Sequence, residues 1–492
     1  MDKGAHFYRC DFQVHTPRDL RWTGPACVTD EERNDYAATL IQACREKHLD
    51  AVAITDHHDL AFVKYIREAA RTEHDDNGKP VPYEKQIKIF PGIELTLNVP
   101  CQALLIFDAD FPEDLFSLAL TALAITTNSK SDPNTAETKR LDNITTLVGL
   151  RDELDKHEYL KGRYIILPNV SEGGSDTLLR SGNAPKYKNM PCVGGYLDGS
   201  IKQLGTGNLD IINGKAREYG NKKIALFQTS DSRRDDHAEL ANHATWVKWA
   251  TPTAEALRQG CLAQESRISQ NEPVLPETVI TSISVSNSAF LGPIDLELNQ
   301  QYTALIGGRG TGKSTVLEYL RWALCDQQPD PAVDDELPNY QARWKLLIDH
   351  TLKKLKATVQ VRFVVNGIPH LVRRNSDTRE ILLKIGDSDL KPCKEADIRS
   401  LLPIQAYSQK QLSNVGVRVD ELTRFIHAQI KNELDDIDKR ITSISTEIRQ
   451  LYAAIQRKRT IDKGIEKEKL TVESLSKQAT LIRESLSGVS ED

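Results

Sequence analysis

The chain has 492 residues, 39% of them hydrophobic and 27% charged, with a formal net charge of −6. This composition is that of a globular protein of about two to four domains, and its charge excludes a global basic signature for nucleic acid while leaving room for a local basic groove. No stretch approaches the roughly 18 consecutive apolar residues of a membrane-spanning helix, and Met1–His6 has no apolar signal core. The eight cysteines are scattered without a C-x-x-C pair, the pattern of reduced thiols in a cytoplasmic protein with no membrane partner.

Residues 1–265 alternate short apolar runs with helical patterns. The runs are Ala51–Ile54, Ile87–Phe90, Ala103–Phe107, Tyr164–Leu167 and Ile224–Phe227. Strands alternating with helices predict an α/β fold with a parallel sheet or barrel, and chemistry at the strand C-termini. Four segments put ionisable residues there: Asp11-Phe12-Gln13-Val14-His15, Thr55-Asp56-His57-His58-Asp59, Gly92-Ile93-Glu94 and Ser230-Asp231-Ser232-Arg233. Histidines and carboxylates gathered from several strand ends point to a metal-dependent hydrolase, although a lone buried histidine is usually structural.

Residues 266–279 read as a linker, marked by Pro273 and Pro276. Residues 280–425 hold Gly307-Gly308-Arg309-Gly310-Thr311-Gly312-Lys313-Ser314-Thr315, which fits G-x-x-x-x-G-K-[ST]. The glycines let backbone N–H groups turn toward phosphate oxygens, Lys313 adds a charge for the β/γ-phosphates, and Ser314 offers a hydroxyl to Mg²⁺. Tyr302–Ile306 is expected to be a short buried strand, and Val316–Leu324 a helix whose N-terminus faces the phosphates of ATP. Ala357–Val365 and Ile368–Arg374 around Asn366-Gly367 predict a β-hairpin. Antiparallel strands beside a P-loop suit an ABC-type head better than a small GTPase.

Residues 426–492 carry Ile430, Leu434, Ile437, Ile441, Ile444, Ile448, Leu451 and Ile455. That heptad stripe among charged residues predicts a coiled coil, against the alternative of one amphipathic helix packed on its own domain.

The N-terminal segments resemble the PHP (polymerase and histidinol phosphatase) family over about residues 6–265. The resemblance implies a distorted (β/α)7 barrel that binds up to three metals and hydrolyses phosphoesters. Its D-L-H-x-H motif stands here as Asp11-Phe12-Gln13-Val14-His15, its T-D-H as Thr55-Asp56-His57 and its G-[IV]-E as Gly92-Ile93-Glu94. Up to four usual histidines are replaced, by Gln13, Gln102, Asn169 and Arg233. His15, His57, Glu94, Asp231 and Arg233 are thereby implied as catalytic residues, and Asp11, Gln13, His15, Asp56, His57, Glu94 and Asp231 as metal ligands. Amide oxygens suit Mg²⁺ or Mn²⁺ and bind Zn²⁺ poorly, the metal implied for the PHP site being Mn²⁺, with Zn²⁺ or Fe²⁺ as alternatives; Arg233, which cannot ligate a metal, could hold a phosphate. One or two metals, or a metal-free phosphate or nucleotide pocket, follow as alternatives.

Residues 280–325, with Phe290-Leu291-Gly292-Pro293-Ile294, resemble the N-terminal lobe of SMC-like ABC ATPases. Tyr407-Ser408-Gln409 resembles their Q-loop, which implies a role for Gln409 at Mg²⁺ and water. No Walker B strand follows the coiled coil, and Leu486-Ser487-Gly488-Val489 is too isolated to serve as the signature motif. A truncation or one half of a split ATPase is therefore expected. The whole order resembles the TrlF-type PHP–ATPase proteins of bacteria. It implies an ATP-regulated phosphoesterase or nuclease acting on DNA or tRNA, in defence or repair, that dimerises through its heads. The alternatives are a degenerate PHP scaffold on an ATP-dependent DNA clamp, and a hydrolase of a small phosphorylated metabolite.

Overall fold

The computed structural model describes residues 4–75, 77–126, 140–173, 176–180, 182–326, 340–407, 426 and 430–487. The chain forms two compact units. One comprises Met1–Ile283 with Asp295–Leu305 and Arg362–Pro369; the other comprises Ser284–Ile294, Ile306–Val361 and His370–Asp492.

The first unit is mixed α/β. Its strands are β1 (His6–Val14), β2 (Ala51–Ile54), β3 (Lys88–Leu97), β4 (Cys101–Phe107), β5 (Tyr164–Pro168), β6 (Gly194–Asp198), β7 (Ala225–Thr229), β8 (Thr245–Trp249) and β9 (Ile268–Ser269). Seven of them form a curled sheet in the order β5-β4-β3-β2-β1-β8-β9, and β6 pairs with β7. Isolated bridges join Asn169 to Tyr196 and Val14 to Ser232. The sheet is not parallel throughout, as the alternation of strands and helices had implied. β1–β2, β2–β3 and β6–β7 are parallel, whereas β3–β4, β4–β5, β1–β8 and β8–β9 are antiparallel. Only Asn98-Val99-Pro100 separates β3 from β4, and so short a link allows a turn but no crossover.

β2 is buried along its whole length, as an inner strand covered on both faces must be. One covering helix is Asp30–Glu46. Thr29 and Glu32 form a reciprocal capping box at its start, and Tyr36, Ala37, Leu40, Ile41 and Cys44 make its buried face. That spacing is one stripe of a 3.6-residue helix. On another side of the sheet Phe12 packs edge-on against Phe90 and Phe227 at 5.6 and 5.5 Å, which plugs the space between β1, β3 and β7.

Lys88, at the start of β3, is an exception in this interior. It is buried, donates to the Tyr83 carbonyl and lies 3.7 Å over the Tyr83 ring. Burial pushes its pKa from 10.5 down to about 8. A lysine whose folded pKa is depressed costs stability below about pH 8, and that cost disappears above the unfolded value. Lys88→Met should therefore be more stable than wild type by about 2–3 kcal/mol at neutral pH. The gap should close between about pH 8 and pH 10.5. Paired urea titrations across that range check it; a gap that stays constant with pH would refute the assignment.

A second sheet has the order β11-β10-β12-β13-β14-β15, with β10 Thr278–Val285, β11 Ile294–Glu297, β12 Thr358–Val365, β13 Ile368–Asn375, β14 Ile381–Ile385 and β15 Lys391–Pro392. The hairpin expected at Asn366-Gly367 is present, with φ of 50° and 75° at these two residues. Both left-handed, they make the type I′ turn that matches strand twist. Helices span Lys313–Ala323 and Tyr340–Thr351.

Tyr302–Ile306 departs from expectation: it forms no strand, and Tyr302 and Ile306 are 78% and 94% exposed. A buried strand needs hydrogen-bonded neighbours along its edges, and no described residue pairs with this one in a sheet. The C-terminal region is a single helix, Lys431–Ser487, of 57 residues, about 85 Å long. Its stripe, including Ile437, Ile441, Ile444, Ile448, Leu451 and Ile455, is exposed; among the described residues no second helix covers it. No helix among the described residues is long and apolar enough to cross a membrane.

Candidate metal centre and phosphate loop

The C-terminal ends of β1 and β2, the middle of β3 and the loop after β7 bring four of the expected residues together. His15 Nε2 lies 3.1 Å from Asp231 Oδ1 and 3.3 Å from Glu94 Oε2, and His57 Nε2 lies 3.5 Å from Glu94 Oε2. The two imidazoles lie 5.5 Å apart, nearly parallel. Gly92 permits this approach. A Cβ there would lie 2.7 Å from Thr55 Cγ2 and 3.2 Å from the Ile54 carbonyl, so any larger residue would push β3, and Glu94 with it, away from the end of β2.

Asp19, five residues beyond the end of β1, is a member of the cluster that no sequence motif marked. Its carboxylate lies 3.1 Å from His15 Nδ1 and 2.7 Å from His57 Nδ1, and it accepts from Arg233 Nη1 at 2.6 Å. With Asp19 at Nδ1, the other ring nitrogen of His57, Nε2, faces Gln102 Nε2 at 3.4 Å and Glu94 Oε2 at 3.5 Å. A carboxylate behind a histidine is the usual device for aiming the other ring nitrogen at a metal. The available signal in the sequence was an aspartate four residues after His15.

Arg233 joins the same cluster. Its Nη2 donates to Asp231 Oδ1 at 2.7 Å and to Glu94 Oε2 at 3.4 Å. Gln13 is turned with its amide nitrogen toward Asp231 (3.0 Å) and Glu94 (3.4 Å) while its oxygen accepts from Thr229 Oγ1 at 2.7 Å. In that orientation Gln13 offers the cluster a donor, not a ligand oxygen. Asp11 serves the backbone: it accepts from the N–H groups of Ser230 at 3.2 Å and Ala241 at 3.0 Å. Asp56 accepts from the Thr16 N–H and hydroxyl at 2.7 and 2.6 Å and lies 3.8 Å from His15 Nδ1. Asn169 donates toward Tyr196 and Asp198, at 3.3 and 3.4 Å, beside the cluster.

The electrostatics are those of a closed ion-pair network. Burial alone would raise the Glu94 carboxyl, but the charges of His57, His15 and Arg233 hold it at about 2. Burial and Arg233 oppose a proton on His15; the surrounding carboxylates of Asp19, Asp231 and Glu94 outweigh both and lift it well above its ordinary value. Asp19, buried yet facing both histidines, is held well below the carboxylate range. For Asp56 and Asp11 burial outweighs the groups that favour the carboxylate, the His15 charge and Thr16 at Asp56 and hydrogen bonds from Ser230, Ala241 and Gln13 at Asp11, and raises them to about 7 and about 6. Asp231 sits in a left-handed conformation, φ 48°, a strained backbone of the kind that gathers at functional sites.

The donor set fits a cation. One ring nitrogen each of His15 and His57 with a Glu94 oxygen form one group of ligand atoms within 4.8 Å of one another, and His15, Asp19 and Asp56 form another. Glu94 Oε2 lies 3.3 and 3.5 Å from Nε2 of His15 and of His57, close to the edges, about 3.0–3.4 Å, of a shell with bonds near 2.1 Å; Asp231 adjoins this group at 3.1 Å from His15 Nε2.

In the second unit the stretch 307–315 forms a loop running into the helix Lys313–Ala323. Gly310 and Gly312 have φ of 83° and 86°, and a Cβ on Gly312 would lie 2.3 Å from Leu291 Cδ2. Lys313 Nζ donates to the carbonyls of Gly307 and Gly308 at 2.7 and 2.6 Å, and Thr311 Oγ1 to Gly308 at 3.0 Å. The first helical turn contains no acidic residue, so its free N–H groups and Lys313 make an electropositive rim. Gly307, Gly308, Arg309, Gly310, Thr311 and Ser314 are exposed, and Thr315 is half-buried. These features fit nucleotide phosphates with Mg²⁺. Gln409 and Gly488 lie outside the described residues.

No curated protein matches the chain. Among solved structures, the chain resembles a lesion-specific endonuclease, PfuEndoQ from Pyrococcus furiosus, at 13% identity and TM-score 0.36 over 56% of this chain; it spans 62% of that protein's length. It resembles a putative metal-dependent phosphoesterase from Bifidobacterium adolescentis at 12% identity and TM-score 0.28, over 51% of this chain and 94% of that one. An ATP-dimerising SMC ATPase is matched at 16% identity and TM-score 0.19, over 32% of this chain and 99% of that one. Residues 282–487, which contain the phosphate loop, match the AAA domain family.

Proposed function

We propose that this protein is an ATP-regulated phosphoesterase of nuclease type acting on nucleic acid. The observation that carries the reading is the presence in one chain of an AAA-domain match with a formed phosphate loop and of a buried histidine–carboxylate cluster with metal-ligand spacing. His15, His57, Glu94 and Asp231 would hold one divalent cation, Mn²⁺ or Mg²⁺, whose chemistry is Lewis-acid polarisation of a phosphoryl oxygen. His57 is oriented by Asp19, and Arg233 supplies a guanidinium for a phosphate. Gly307–Thr315 hold the phosphates of ATP, Ser314 and Gln409 serve its Mg²⁺, and the heads dimerise. The domain plan belongs to the same proposal: a PHP-like barrel over 1–265, a linker, an ATPase lobe over 280–425 and a coiled-coil arm beyond, in a bacterial cytoplasm. A second reading, a catalytically silent scaffold on an ATP-dependent DNA clamp, is favoured by one observation, the ion pairs that Arg233 makes inside the cluster.

Cleavage of duplex DNA and of tRNA with Mn²⁺ tests the first reading. Glu94→Gln and His57→Ala should each lower cleavage by about 100-fold or more. Cleavage indifferent to both changes would remove the cluster from the reaction, and absence of cleavage by wild type on either polymer would favour the scaffold.

A further inference from the structure

We propose that Arg233 is the resident cation of the cluster, and that a divalent cation enters only when the guanidinium is displaced. The inference rests on the reading of His15, His57, Glu94 and Asp231 as a cation site. Arg233 reaches three carboxylates at once: Asp19 at 2.6 Å, Asp231 at 2.7 Å and Glu94 at 3.4 Å. Two of these, Asp231 and Glu94, are the oxygens that lie beside His15 Nε2 at 3.1 and 3.3 Å. The terminal nitrogen Nη2 therefore stands within bonding distance of the atoms a metal would bridge. Two positive centres cannot share that position: at such spacing in a buried site their repulsion is large.

The guanidinium is well charged but poorly seated. Its Nε is buried and finds no hydrogen-bond partner, an unfavourable condition for a buried donor. The backbone around it is pinned, with His15 N–H donating to the Ser232 carbonyl and Thr23 N–H to the Arg233 carbonyl, both at 2.9 Å. Exchange is therefore a side-chain rotation with the loop left in place. The exposed part of the cluster is the Asp231 side chain, at 33%, which marks the way out. A phosphate ester arriving there offers the guanidinium a bidentate partner in exchange for its carboxylates, and the vacated oxygens then face the cation. Metal loading and phosphate binding become one event.

Calorimetric titration of the full chain with Mn²⁺ tests this, using wild type, Arg233→Ala and Arg233→Gln, with near-UV circular dichroism to show that each variant is folded. Both variants should bind one Mn²⁺ per chain roughly tenfold or more tighter than wild type. Glu94→Gln added to either should abolish that binding, and methylguanidinium should compete with Mn²⁺ in Arg233→Ala. Wild-type binding as tight as in both variants, and dependent on Glu94, would overturn the role of Arg233 while leaving the cation site intact. No Mn²⁺ on any of the three proteins would overturn both.

Discussion

Lys313→Ala is expected to lower the affinity for ATP by roughly 100-fold, corresponding to about 3 kcal/mol. The side chain is the only cation of the loop's helical end and closes the loop on itself, through the Gly307 and Gly308 carbonyls. Charge-assisted bonds to phosphate are each worth about 1.5–3 kcal/mol, and alanine removes the charge together with the tie that shapes the loop. Fluorescent-nucleotide titration with Mg²⁺ checks it. The His15–Glu94 cluster belongs to the other compact unit, so its thermal transition and its Mn²⁺ binding should not change. A variant that still binds ATP as tightly as wild type would show that residues 307–315 do not form a nucleotide site.

What the sequence made legible divides along physical lines. Hydrophobic runs located β2, β4, β5 and β7 because a buried strand must be apolar over most of its length, and Asn366-Gly367 located the hairpin because few residues accept two successive left-handed conformations. Strand direction was not legible at β4, since it depends on the three-residue link after β3 and not on the strand's own residues. Tyr302–Ile306 looked buried for the same compositional reason as β2, but burial of a strand depends on neighbours that its own sequence does not encode. At the site, His15, His57, Glu94 and Asp231 were legible because ionisable residues directly after apolar runs are costly without a purpose. Asp19 and the inward turn of Arg233 were not, because both depend on where a loop folds back. Gln13 was legible as a residue of the site but not in its orientation, which the Thr229 hydroxyl decides.

Asp19→Asn should destabilise the first unit strongly, although the change is conservative in shape. The substitution keeps the shape and removes one charge from a buried group that faces His15, His57 and Arg233 within 3.1 Å. Breaking a buried ion pair from one side costs about 3–5 kcal/mol, because the remaining charges stay desolvated and unpaired. The asparagine also places an amide nitrogen where a donor already points, at His57 Nδ1 or at Arg233 Nη1. Linkage gives the sign of the pH dependence. In wild type the His15 pKa is raised on folding, so its contribution is full below the ordinary value near 6.5 and is lost as pH rises through the folded value. Without Asp19, His15 loses one of the three carboxylates that hold its proton, and its folded pKa should fall. Asp19 itself is depressed on folding, so its contribution is lost as pH falls below the ordinary carboxylate value; the stability deficit of the variant should therefore be greatest between about pH 4 and 6.5, shrink in stronger acid, and narrow as pH rises through the wild-type folded value of His15. Urea titrations at several pH values and an NMR titration of the His15 ring check both halves. A deficit below about 1 kcal/mol, the worth of an exposed pair, together with an unmoved His15 titration, would show that Asp19 is not the anchor of this network.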